Sequence, residues 1–178
     1  MKKTAKISLL LSLVVLAFGI VPSISFSNPL DNKGTEFVLG FQENDSDRDT
    51  TLLSITGDTA TTGSVTIGGG APSSFSVTPG TTTNIEIPFG ARAASNGSVE
   101  TKGIRVSAGA EIVVYGLNHS KRTKKGESSV DGFLGLPMDI LGTEYIVLSF
   151  AGSSVELGGN PKVTQNTPSQ FMVVGVEA

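Results

Sequence analysis

From residue 28 onward the apolar residues of this chain recur at every second position, in short runs without sustained helical spacing. Phe37, Leu39 and Phe41 share one face of such a run, and Leu53 and Ile55 follow. Val65 and Ile67 alternate with Ser64 and Thr66, and Phe75 and Val77 with Ser74 and Ser76. Ile85 and Ile87 alternate with Asn84 and Glu86, and Ile104 and Val106 with Arg105 and Ser107. A period of two puts one row of side chains in a core and the other in water, which is the pattern of half-buried strands. Ile112, Val113, Val114 and Tyr115 are apolar at successive positions, predicting a central strand covered on both faces. Turn chemistry separates the runs at Thr56-Gly57-Asp58, Gly68-Gly69-Gly70, Pro79-Gly80 and Asn96-Gly97. Gly68–Gly70 lacks the Lys-Ser/Thr and helix of a phosphate loop, so a hairpin turn is expected there. About seven strands over residues 34–141 is the density of an all-β fold, an antiparallel β-sandwich. A propeller is the alternative, but a unit of this length exceeds one blade.

The chain also says nearly the same thing twice. GTEFVLGF at 34–41 returns as GTEYIVLSF at 142–150, with the two starts 108 positions apart. A Gly-Thr-Glu turn feeding an aromatic-led apolar strand marks an internal repeat of one supersecondary unit. The expectation is a full repeat at 34–141 and a partial one at 142–178, with new strands near Tyr145–Phe150 and Ser169–Val176. Strands that lack partners would join the first repeat or leave an open edge for self-association.

The first 27 residues read as an address. Lys2, Lys3 and Lys6 precede an apolar run from Ile7 to Ile20, Pro22 ends it, and Ser25 and Ser27 are the small residues of a cleavage site. This is the layout of a secretory signal peptide. The competing reading, a membrane anchor, needs roughly 20 apolar residues, more than this run offers. No cysteine follows, which excludes a lipoprotein anchor, so no stable membrane anchor is expected. Loss of the three lysines takes the formal net charge from −3 to −6. That disfavours nucleic acid as a partner. With no cysteine anywhere, an extracellular chain must be held by core packing and strand pairing.

Catalytic chemistry finds little to build on. His119 is the only histidine, and no Gly-x-Ser-x-Gly elbow accompanies it. It follows the strand ending at Leu117 and is expected to be exposed. Asp45, Asp47 and Asp49 invite a calcium reading, yet an EF-hand would need Gly and Glu where Thr50 and Thr56 stand. An irregular calcium loop and a solvated loop both remain open. Asn44, Asn96 and Asn118 head Asn-x-Ser triplets and are candidate glycosylation acceptors, each expected in a loop; chance occurrence in a Ser-rich chain is the plain alternative. Lys121, Arg122, Lys124 and Lys125 crowd a polar stretch that reads either as a basic contact patch for a polyanion or as a solvated loop. No catalytic, cofactor or metal residue is assigned.

Taken in order, several stretches resemble the IgGFc-binding protein N-terminal domain family. They are GTEFVLGF at 34–41, TTGSVTI at 61–67, SFSVTPGTTTNIEIP at 74–88, ETKGIRVSA at 100–108, EIVVYGLN at 111–118 and DGFLGLPMDILGTEYIVLSF at 131–150. The last is the most specific, because it joins the end of one repeat to the start of the next. The resemblance covers most of residues 28–178 and implies a secreted, non-enzymatic module. The family is named for binding the Fc part of immunoglobulin G, but no Fc-contact motif maps onto residues of this chain. The expected function is therefore an extracellular binding or adhesion module with a protein or glycoprotein partner. A structural matrix or mucus component without a specific ligand is the alternative. A secreted hydrolase is disfavoured for want of a nucleophile–base pair.

Overall fold

The computed structural model describes residues 31–43, 50–94, 97–121, 128–149, 152–157, 163–167 and 169–176. These residues are mostly strand, with almost no helix beyond single 3-10 turns at Phe89–Ala91 and Met138–Ile140. The strands are β1 (Gly34–Leu39), β2 (Phe41–Gln42), β3 (Thr50–Thr56), β4 (Thr61–Ile67), β5 (Ser73–Val77), β6 (Thr83–Ile87), β7 (Arg92–Ala93), β8 (Ile104–Lys121), β9 (Ser128–Leu134), β10 (Ser153–Leu157) and β11 (Val163–Thr167). Seven of them form one antiparallel sheet organised by the 18-residue β8. It is flanked on both sides over both its halves, by β1 and β4 at its start and by β3 and β9 at its end. The apolar Ile112–Tyr115 stretch is thus central, as its composition predicts; Ile112, Val113 and Val114 are buried, but Tyr115 is 46% exposed, so the outer face is not covered along the whole stretch.

Two of the predicted strands are one. Ile104–Val106 and Ile112–Tyr115 both belong to β8. Ala108 and Ala110 carry the alternation between them with small side chains, and the strand runs on through residues 109–111, where its ladders to β1 and to β3 and β4 change register. β3–β4 and β5–β6 likewise behave as the two arms of one long hairpin. Val65 faces Ser73 and Thr61 faces Val77; beyond the corner Ile55 faces Thr83 and Thr51 faces Ile87, with no residue gained or lost. The Pro79-Gly80 turn closes with Thr81 N–H donating to Thr78 O at 3.1 Å. It acts as a corner within an arm, since β5 and β6 share no ladder.

Against β8 the register does slip. Thr56 faces Val113 while Gly63 faces Ala108, so the β3–β4 arm carries two extra residues at the corner. Extra residues on one strand bend and twist a sheet. The bend brings one face of both halves together. Val65, Val77, Ile104 and Val106 from one half share a single core cluster with Leu53, Ile55, Ile87, Ile112 and Val114 from the other, and β1 and β2 add Phe37, Leu39 and Phe41. Each such side chain contributes about 1.5–3 kcal/mol when fully buried.

Two glycines are dictated by aromatic neighbours across this ladder. Gly63 faces Phe75, and Gly116 faces Phe133. A side chain at either position would meet the opposing ring.

The second copy of the Gly-Thr-Glu motif departs from expectation. Residues 142–149 form no strand, and the pairing that follows lies later in the chain, where β10 and β11 make a separate two-stranded sheet. Residues 169–176 take no ladder either. They do keep a period of two, with Phe171 and Val173 exposed and Met172 and Val174 half-buried. Met172 and Val174 lie beside Gly40, where an added Cβ would sit 3.0 and 3.2 Å from their side-chain carbons.

Candidate functional site

The outer face of the sheet carries what the inner face excludes. On β4, β5 and β8 the residues that alternate with the core are Thr62 and Ser64, Ser74 and Ser76, and Arg105 and Ser107. Pairing aligns them. Glu36 of β1 faces Ser107, Ser107 faces Ser64, and Ser64 faces Ser74, a row across four neighbouring strands. Such neighbours lie about 4.5–5.5 Å apart at Cβ. The Ser64 and Ser107 hydroxyls share a hydrogen bond of 3.1 Å. At the end of the row Arg105 Nε donates to Glu36 Oε2 at 3.1 Å, which holds the carboxylate beside the hydroxyls.

Together with Thr62, Ser76 and the small residues Gly63, Ala108 and Gly109, this row lines an open groove of about 600 Å³. Each hydroxyl offers one donor and two acceptor positions. Because the side chains project from a ladder whose opposite face is core, the array is held in place without any contact from a ligand.

The residues singled out in the sequence fall elsewhere. Asn44, Asn96, Arg122, Lys124 and Lys125 lie outside the described residues, as do Asp45, Asp47 and Asp49. Lys121 closes β8 opposite Ser128. Asn118 is not in a loop. It is half-buried within β8, between Thr51 and Asp131, and its Nδ2 donates to Gln42 O at 3.2 Å. His119 is half-buried rather than exposed, opposite Thr50 and Val130, because β8 continues past Leu117 through Lys121. Among the described residues no three His, Asp or Glu side chains converge as a metal site, and no helix is long and apolar enough to cross a membrane.

One buried cation escaped the sequence. Arg92 is only 2% exposed; its guanidinium carbon lies 3.7 Å from the centroid of the Phe89 ring, and its Nε donates to Phe89 O at 3.4 Å. Lys102 Nζ donates to Arg92 O at 2.8 Å and pairs with Glu100 at 2.7 Å. Glu100 in turn accepts from the backbone N–H of Ala94 at 2.9 Å. These contacts tie residues 100–102 back onto residues 89–94, where β7 pairs in parallel with β2.

No family model, curated protein or solved structure matches the chain.

Proposed function

We propose that this protein is a secreted, non-enzymatic binding module of the adhesion type, folded as an antiparallel β-sandwich, that recognises the glycan of an extracellular glycoprotein. The observation that carries the reading is the row Glu36–Ser107–Ser64–Ser74, with Thr62 and Ser76 beside it. Sugar hydroxyls both donate and accept hydrogen bonds, and a fixed array of hydroxyls with a carboxylate at one end matches that chemistry. An open groove also admits a chain that continues past the site at both ends. The leader-like first 27 residues and the resemblance to the IgGFc-binding protein N-terminal domain family support an extracellular setting.

A glycan array probed with the secreted chain tests this. Binding to a defined subset of glycans is expected, with loss in a Ser64→Val/Ser107→Val variant of unchanged melting temperature. Equal binding by that variant would move the site off the groove. No glycan bound at all would sink the glycan reading, and immunoglobulin Fc captured in its place would return the function to the family's namesake.

A second reading, a structural matrix component, is favoured by a different observation: Tyr145–Leu148 and Phe171 are large apolar side chains left in water.

A further inference from the structure

Residues 142–147, GTEYIV, closely resemble GTEFVL of β1 but, among the described residues, take none of its ladder contacts. In β1, Glu36 pairs with Arg105, and Phe37 is fully buried opposite Val106. In the second copy Glu144 is exposed, and Tyr145, Ile146, Val147 and Leu148 are 65, 90, 57 and 89% exposed. The Tyr145 hydroxyl accepts from the Gly142 N–H at 2.9 Å, a bond within the segment itself. Strand-forming sequence, apolar on both faces, is held in water with no ladder.

The sheet has the complementary defect. β9 pairs with β8 along one side and, among the described residues, with no strand along the other. It carries an apolar side chain on each face, among the polar residues Ser128, Ser129 and Asp131. Leu134 lies beside Tyr115, Val130 lies on that same face, and Phe133 points to the other face, where its ring meets Phe41 at 5.3 Å. Val130, Phe133 and Leu134 are all more than a third exposed. An edge strand with exposed apolar side chains is a template for another chain.

We infer that copies of this protein join by strand addition, with Tyr145–Leu148 of one copy pairing along the free side of β9 of the next. An acceptor edge that exposes Val130 and Leu134 on one face and Phe133 on the other suits a donor with apolar side chains on both faces, and this chain supplies both. β1 demonstrates that the same sequence type pairs antiparallel in this sheet, and it already bridges Pro137, just beyond the end of β9. Main-chain hydrogen bonds supply affinity in such additions, and the alternating side chains supply selectivity. Donor and acceptor are different surfaces, so the contact is heterologous and extends into open chains unless its rotation closes a ring. The inference is independent of the hydroxyl groove, and Ser64→Val leaves assembly untouched.

The test is the mass of the secreted chain by light scattering over a dilution series, with one variant for each side of the contact. Ile146→Pro removes a backbone donor from the donor segment while keeping it apolar. Val130→Lys/Leu134→Lys charges the acceptor edge at exposed positions. The wild type and Ile146→Val are expected to exceed the monomer mass as concentration rises. Each blocked variant alone stays monomeric with an unchanged melting temperature. An equimolar mixture of the two forms pairs and nothing larger, because one intact donor meets one intact acceptor. A wild type that is monomeric throughout, an Ile146→Pro variant that assembles like the wild type, or a mixture that stays monomeric would each overturn the inference.

Discussion

The ring of Phe133 fills the space that a side chain at Gly116 would need. The two residues are direct partners on β9 and β8, and the same ring packs against Phe41, tilted by 59°. Gly63 and Phe75 repeat the arrangement on β4 and β5, with one difference. A side chain at Gly63 would also strike the backbone carbonyl of Ser107. An aromatic ring laid over a glycine on the neighbouring strand covers backbone that the glycine leaves bare.

Gly116→Ala is therefore expected to push a movable ring aside. Phe133 is 38% exposed and can swing outward, losing its contact with Phe41. A loss of about 1–2 kcal/mol is expected, from the aromatic pair and part of the buried area. In a double-mutant cycle Phe133→Leu should remove most of that loss. Gly63→Ala should cost more, about 2–4 kcal/mol, because a backbone carbonyl cannot swing away. Equal costs in denaturant melts would mean that the sheet, not the ring, yields at Gly116.

Val114 and Leu148 separate packed from unpacked apolar residues. Val114 is fully buried in β8, whereas Leu148 is almost entirely in water. Val114→Asp is expected to cost about 3 kcal/mol or more, since it buries an unpaired carboxylate. Leu148→Asp in the dissociated chain should stay within about 0.5 kcal/mol. Urea midpoints at low protein concentration compare the two directly.

The core was legible in the sequence because its signal is local. Phe37, Leu53, Ile55, Val65, Phe75, Val77, Ile87, Ile104 and Val106 all follow from a period of two, and all are buried. What escaped depends on partners distant in sequence. β9, with Val130, Phe133 and Leu134 among polar residues, has no clean alternation and exists because the end of β8 offers an edge. Tyr145–Leu148 reads as a better strand than β9 does, yet takes no ladder, because a strand needs a neighbour as well as a pattern. Arg92 belongs to a residue type almost never fully buried without a partner; here the Phe89 ring and carbonyl receive it. The hydroxyl row was invisible for the same reason as β9. Glu36, Ser64, Ser74 and Ser107 come from four strands, and only the register brings them into line.

Secretion should remove the first 27 residues. Ser25 and Ser27 place small side chains where a signal peptidase needs them, and Pro29 leaves the first mature position clear. N-terminal sequencing of secreted material is expected to begin at Asn28. Secreted chains that retain Met1 would sink the signal-peptide reading.

The turn between β4 and β5 separates two costs that usually come together. Gly70 N–H donates to Ile67 O at 2.9 Å, which closes a turn with Gly68 and Gly69 at its centre, at φ of 57° and 73°. Positive φ at both central positions is the hairpin turn whose twist suits the flanking strands. At Gly69 an added Cβ meets nothing, so Gly69→Ala bears only the left-handed backbone penalty, about 1–2 kcal/mol. At Gly68 the Cβ would also collide with the carbonyl oxygen of Thr101, in a loop already tied to this turn by the bond from Gly68 N–H to Gly103 O at 2.9 Å. Gly68→Ala should therefore cost clearly more than Gly69→Ala, roughly 2–4 kcal/mol, because turn and loop must separate. Gly69→Asn should recover part of the loss, since Asn tolerates the left-handed region. Thermal melts of the three variants rank the effects. If Gly68→Ala and Gly69→Ala melt together, the loop at Thr101 gives way freely, and the backbone conformation alone sets the demand for glycine here.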